Sequence, residues 1–184
     1  AISSATGANI TGTGYKTFML YLSKLTINQN VNLNNIADTY NQLEIVNSSI
    51  ANANNKTMTG TQINDIAMAQ ENDKTLYPRN KVTLENEGKI NLSGTESTGI
   101  YGKYAELYNK SNGEITMSDT STAMYGIDDS ILENTGEITI GKNAIAMYSE
   151  GSITQGMKNT GTIKLPQTDS VAMSYNPDSA LAAG

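Results

Sequence analysis

Asn134-Thr135-Gly136-Glu137-Ile138-Thr139-Ile140, followed shortly by Ile145-Ala146-Met147-Tyr148, is the stretch that decides the fold. After Gly136 the apolar residues alternate with polar ones. A period of two belongs to a β-strand with one buried face, whereas a helix would repeat at 3.6. The Asn-x-Gly ahead of the strand reads as a turn. Glycine takes positive φ without strain, and asparagine tolerates it or bonds its own backbone.

Working outward, both motifs recur in the same order. The first returns as Asn86-Glu87-Gly88-Lys89-Ile90-Asn91-Leu92, Ser111-Asn112-Gly113-Glu114-Ile115-Thr116-Met117 and Asn159-Thr160-Gly161-Thr162-Ile163-Lys164-Leu165. The second returns as Thr98-Gly99-Ile100-Tyr101, Thr122-Ala123-Met124-Tyr125 and Val171-Ala172-Met173-Ser174. The glycines of the first motif fall 25, 23 and 25 residues apart, and the small residues of the second fall 24, 23 and 26 apart. A unit this short cannot bury its apolar face alone, so neighbours must stack. The expectation is an all-β chain wound as a right-handed parallel β-helix, with about 24 residues per coil, strands about 4.8 Å apart and about seven coils in all. A leucine-rich repeat would need Leu and Asn at offsets that are missing, and a propeller blade a period nearer about 40 to 50.

The Ile and Met column is expected to face inward, since methionine fills uneven gaps. Strict alternation then turns Gly99, Ala123, Ala146 and Ala172 outward together with Tyr101, Tyr125 and Tyr148. The opposite facing, with small residues and tyrosines inside, stays open on the pattern alone.

Residues 1–83 follow the period loosely and read as degenerate coils with insertions; residues 84–184 are the regular coils of one continuous solenoid. Tyr15–Tyr21 resembles the second motif, Leu25-Thr26-Ile27 and Val31-Asn32-Leu33 alternate like strands, and Leu43-Glu44-Ile45 opens another coil. Asp65-Ile66-Ala67-Met68-Ala69 matches the second motif well. From Ala67 to Gly99 is 32 residues, so an excursion leaves the coil between Ala69 and Val82. Ile36–Asn55 is a candidate for a second. Insertions in solenoids map to loops on one face, often the binding face. Ala1–Gly7 and Pro177–Gly184 read as cuts through a longer array.

Composition narrows the function. The chain has no cysteine and no histidine, which removes disulfides, thiol nucleophiles, imidazole bases and the usual transition-metal ligands. The 12 basic residues include a single arginine, Arg79, against 18 acidic ones, a net charge of -6. That balance argues against nucleic acid and anionic membranes. No apolar run reaches the roughly 20 residues of a membrane-spanning helix. Asp119, Asp128 and Asp129 are the best acidic cluster for a polysaccharide-cleaving β-helix, but adjacent strand residues face opposite ways, so a shared site requires a turn there. Asp65, Glu71 and Asp73 lack the spacing of a calcium loop. No catalytic residue, metal site or cofactor is expected.

The repeated Asn-x-Gly-x-Ile-x-Leu followed by Ser/Thr-x-Gly/Ala-Ile/Met-Tyr resembles the passenger regions of large type V autotransporter adhesins of the fusobacterial kind, clearly over residues 84–175. The resemblance implies an exported passenger displayed on the bacterial cell surface and anchored by an outer-membrane barrel outside this segment. It implies partners among host-cell surface proteins, glycans, immune-cell receptors and other bacteria, and no membrane insertion of the segment itself. The alternative is a purely structural stalk. Candidate partner-binding residues are Tyr77, Arg79 and Lys81 in the excursion and Tyr101, Tyr125 and Tyr148 in the aromatic column, because aromatic and arginine side chains dominate interfaces.

Overall fold

The computed structural model describes residues 16–18, 24–28, 30–33, 42–46, 49–72, 81–151 and 156–177. Every regular element among them is a β-strand. In chain order these are β1 (Lys16–Phe18), β2 (Lys24–Ile27), β3 (Val31–Asn32), β4 (Gln42–Val46), β5 (Ser49–Asn52) and β6 (Thr57–Gly60). Next come β7 (Ile66–Glu71), β8 (Val82–Asn86), β9 (Lys89–Leu92), β10 (Thr98–Lys103), β11 (Ala105–Asn109) and β12 (Glu114–Met117). The series closes with β13 (Thr122–Ile127), β14 (Ile131–Asn134), β15 (Glu137–Thr139), β16 (Ile145–Glu150), β17 (Met157–Asn159), β18 (Thr162–Lys164) and β19 (Val171–Asn176).

Every third strand joins the same sheet. A long sheet runs β1-β4-β7-β10-β13-β16-β19, a second runs β2-β5-β8-β11-β14-β17 and a third runs β3-β6-β9-β12-β15-β18. All pairings are parallel. The chain is a three-sided β-helix, and both repeat motifs fall where a stacked solenoid needs them.

Stacking in register turns the sequence repeat into columns of like residues. Met68, Ile100, Met124 and Met147 stack inside the long sheet. Ile50, Leu84, Leu107 and Leu132 stack inside the second, and Met58, Ile90, Ile115 and Ile138 inside the third. All twelve are at most 1% exposed. Each such side chain contributes about 1.5–3 kcal/mol by burial.

One expectation about facing is corrected. Gly99, Ala123 and Ala146 are buried, not outward. In β10, β13 and β16 two successive residues are buried before strict alternation resumes. The small residue sits where the strand enters the long sheet and the third sheet closes over it. Even a Cβ on Gly99 would crowd Ile115 and the Ala123 carbonyl, so the column has room only for small side chains.

A second correction concerns Asn-x-Gly. Gly88, Gly113, Gly136 and Gly161 do not have positive φ; among the described glycines only Gly151 and Gly156 do. Their lack of a side chain serves close approach. A Cβ on Gly136 would overlap the carbonyl oxygens of Gly113 and Lys110, one coil below. The asparagines, for their part, form a buried ladder. Asn52, Asn86, Asn109 and Asn134 are 0% exposed. Each Nδ2 donates to the Oδ1 of the next coil: Asn52 to Asn86 at 2.8 Å, Asn86 to Asn109 at 2.9 Å, Asn109 to Asn134 at 2.7 Å and Asn134 to Asn159 at 2.7 Å. The same amides also reach backbone carbonyls such as those of Gly113, Glu114 and Glu137. A buried amide left unpaired would be costly, so the ladder locks the register of the coils.

Candidate functional site

The three corners of the coil differ in how much their length varies. Between the third and long sheets the connection 33–41 is nine residues long; the five that follow, 61–65, 93–97, 118–121, 140–144 and 165–170, are nearly constant. Each of these five carries one non-glycine residue in the left-handed region: Asn64, Glu96, Thr120, Asn143 and Asp169. Between the second and third sheets, at the asparagine ladder, they are 53–56, 87–88, 110–113, 135–136 and 160–161. Between the long and second sheets they range from Tyr104 alone, through 128–130 and 151–156, to 72–81. This last corner carries the longest connection and the widest spread of lengths.

The expected excursion leaves from it, with narrower bounds than the sequence suggested. Ala69 and Gln70 remain buried in β7, and the excursion begins at Asn72. Tyr77 and Arg79 lie outside the described residues. Lys81, the root of the excursion, is held against two later coils. Its Nζ donates to the Asp129 carbonyl oxygen at 2.6 Å and stands 5.5 Å from the centre of the Tyr104 ring. The turn it grips, Asp128-Asp129, has positive φ at both residues (53° and 63°). This is the turn that a shared acidic site required, yet Asp119 does not join it. Asp119 lies at another corner, where its Oδ1 accepts the Lys142 amide at 2.8 Å. Asp65 is buried at the start of β7 and Glu71 exposed at its end. Among the described residues no group of three acids is placed to hold a metal ion.

Tyr101, Tyr125 and Tyr148 are half-buried on the outer face of the long sheet, beside this corner. They stack in register, with ring centres 5.5 Å and 5.1 Å apart and planes at 69° and 44°. Offset and edge-on pairs of this kind are favourable, because the positive ring edge meets the negative face. The phenols are tied down by acids: Tyr101 Oη donates to Glu71 at 3.3 Å and Tyr125 Oη to Glu150 at 2.9 Å. Burial, then the neighbouring Glu150, pushes the Tyr125 hydroxyl up to about 12. Burial and the charge of Glu71 raise that of Tyr101 as well.

Next to Tyr125 the surface dips into a recess of ≈ 250 Å³ lined by Tyr125, Ile127, Asp128, Glu150 and Gly151. Asp128 faces Lys103 at 3.8 Å. The sequence reading singled out the tyrosines and the Asp pair and weighed Glu71 only as a calcium ligand, but missed Lys103, Ile127 and Glu150. A signal for the last three was present: they stand two residues beyond Tyr101, Tyr125 and Tyr148, on the same face by the period of two. A wider polar trough of ≈ 680 Å³ runs along the asparagine corner, between the projecting turns 53–56 and 110–113 and the recessed turns at Thr135 and Thr160. Its acids are paired, Glu114 with Lys89 and Glu137 with Lys164, both at 2.7 Å.

The structure therefore draws together Lys81, the 128–130 turn, the recess and the tyrosine column along one edge of the rod. No protein-family model, no curated protein and no solved structure matches this chain.

Proposed function

We propose that this chain is a segment of an exported bacterial surface adhesin, a β-helical passenger that binds host cells or other bacteria by displaying one edge of a rigid rod. The observation that carries the reading is the spread of connection lengths at one corner, flanked by a tyrosine column and acids, against the short turns of the asparagine corner. A solenoid under scaffold constraint alone has no reason to vary one corner and hold another constant. Tyr101, Tyr125, Tyr148 and Lys81, with Tyr77 and Arg79 from the excursion, are the proposed contact residues. A host-cell protein, including an immune-cell receptor, suits the aromatic and acidic edge. A glycan suits the polar, charge-paired trough. The competing reading is a stalk, favoured by the ladders that stiffen the rod.

The test is binding of the purified segment to epithelial and immune cells, with free sugars and amino acids as competitors. Saturable binding that falls when residues 73–80 are removed supports the adhesin reading. A folded segment that binds neither cell type favours the stalk.

A further inference from the structure

We propose that the Tyr101–Tyr125–Tyr148 column is an oxidative cross-linking site, at which a haem peroxidase and hydrogen peroxide join neighbouring coils through a dityrosine bond. This inference is independent of what the rod binds.

Three observations carry it. The rings stand 5.5 Å and 5.1 Å apart on an outer face, held by strand register, so two radicals formed there meet without diffusion. Two of the phenols already donate to a carboxylate, Tyr101 to Glu71 and Tyr125 to Glu150. Loss of one electron makes a phenol a strong acid, and the aligned carboxylate takes its proton as the electron leaves. The rings are also unevenly inclined, with the Tyr125–Tyr148 pair the closer and the nearer to parallel. That pair is the preferred junction.

The chemistry balances. Each of two tyrosines gives up one electron to the peroxidase and one proton, by way of its carboxylate where it has one, to solvent. The two phenoxyl radicals form one carbon–carbon bond between positions ortho to their hydroxyls. Loss of the two ring protons to the phenol oxygens restores both aromatic rings. Hydrogen peroxide accepts the two electrons and two protons and leaves as two molecules of water. The product has lost two hydrogens and carries a covalent rung between coils.

The experiment treats the dilute, folded chain with a haem peroxidase and hydrogen peroxide. The readouts are dityrosine fluorescence, the mass of the monomer and a tryptic map. Cleavage after Lys89, Lys103, Lys110, Lys142 and Lys158 places Tyr101, Tyr125 and Tyr148 in separate peptides, 90–103, 111–142 and 143–158. The expected product is a monomer short of two hydrogens in which peptide 111–142 is joined to 143–158, with a smaller share joined to 90–103. Tyr125→Phe is expected to abolish the intramolecular link, since Tyr101 and Tyr148 are two coils apart. Tyr108→Phe, on the second sheet, leaves it intact. Glu150→Gln, which keeps the shape and removes the proton acceptor, slows its formation several-fold. Links confined to other tyrosines, products that are all intermolecular, or an unchanged yield in Tyr125→Phe would overturn the proposal.

Discussion

The second sheet is entered and left through two corners that obey opposite rules. Where the chain passes to the third sheet, side chains are shared between coils: each ladder asparagine completes the hydrogen bonds of the next, and the turn glycines touch the backbone of the coil below. Where it arrives from the long sheet, connections run from one residue to ten. A corner built from contacts between coils cannot change in one coil without orphaning groups in its neighbours. A corner whose connections look outward can. Scaffold and variation are thereby separated onto two edges of the same rod, and this separation is what the proposed function rests on.

The largest test of the comparison falls on the ladder. Asn109→Leu leaves the buried Asn134 Oδ1 without its donor and the Asn86 amide without its acceptor. The expected loss is about 3 kcal/mol in chemical denaturation, from two orphaned polar groups. An unchanged midpoint would mean that the ladder does not hold the coils. Asn52→Leu should cost less, about 1 kcal/mol, because among the described residues the ladder ends there and the buried Asn52 Oδ1 has no partner.

At the third corner the strain is local and its relief should show as a gain. Thr120 is a β-branched residue at φ 55° in an exposed turn. Thr120→Gly is expected to raise stability by about 1 kcal/mol, since glycine carries no left-handed penalty. Thermal melting checks the sign.

Excising residues 73–80 probes the variable corner itself. Shortening the connection from ten residues to two lowers the entropic cost of closing it by only about 1.4 kcal/mol, so the melting temperature should not fall while attachment to cells does. A large loss of stability would place the excursion in the scaffold.

The smallest effect is expected at high pH. The Tyr125 hydroxyl titrates near its ordinary value of 10.0 when unfolded and at about 12 when folded. Between those values the folded chain holds a proton that the unfolded chain has released. Stability is therefore full below pH 10 and declines toward pH 12. Tyr125→Phe should flatten that decline, as followed by circular dichroism.

The sequence by itself determined the strand type, the parallel stacking and the inward Ile and Met column. These follow from periodicity, which is a local property, repeated each time the chain comes round. It also marked the tyrosines and the insertion before Val82. What it could not supply was the relation between coils. Aligned on Gly113, the sequence puts Ser111 at the ladder position. The structure puts Asn109 there, because this turn is two residues longer than those at Thr135 and Thr160. The buried placing of Gly99, Ala123 and Ala146, the close approach at the turn glycines and the grip of Lys81 on the 128–130 turn were likewise decided only in three dimensions. Each depends on which residues 23 to 48 positions apart come into register, and turn lengths set that register through packing that no single coil contains.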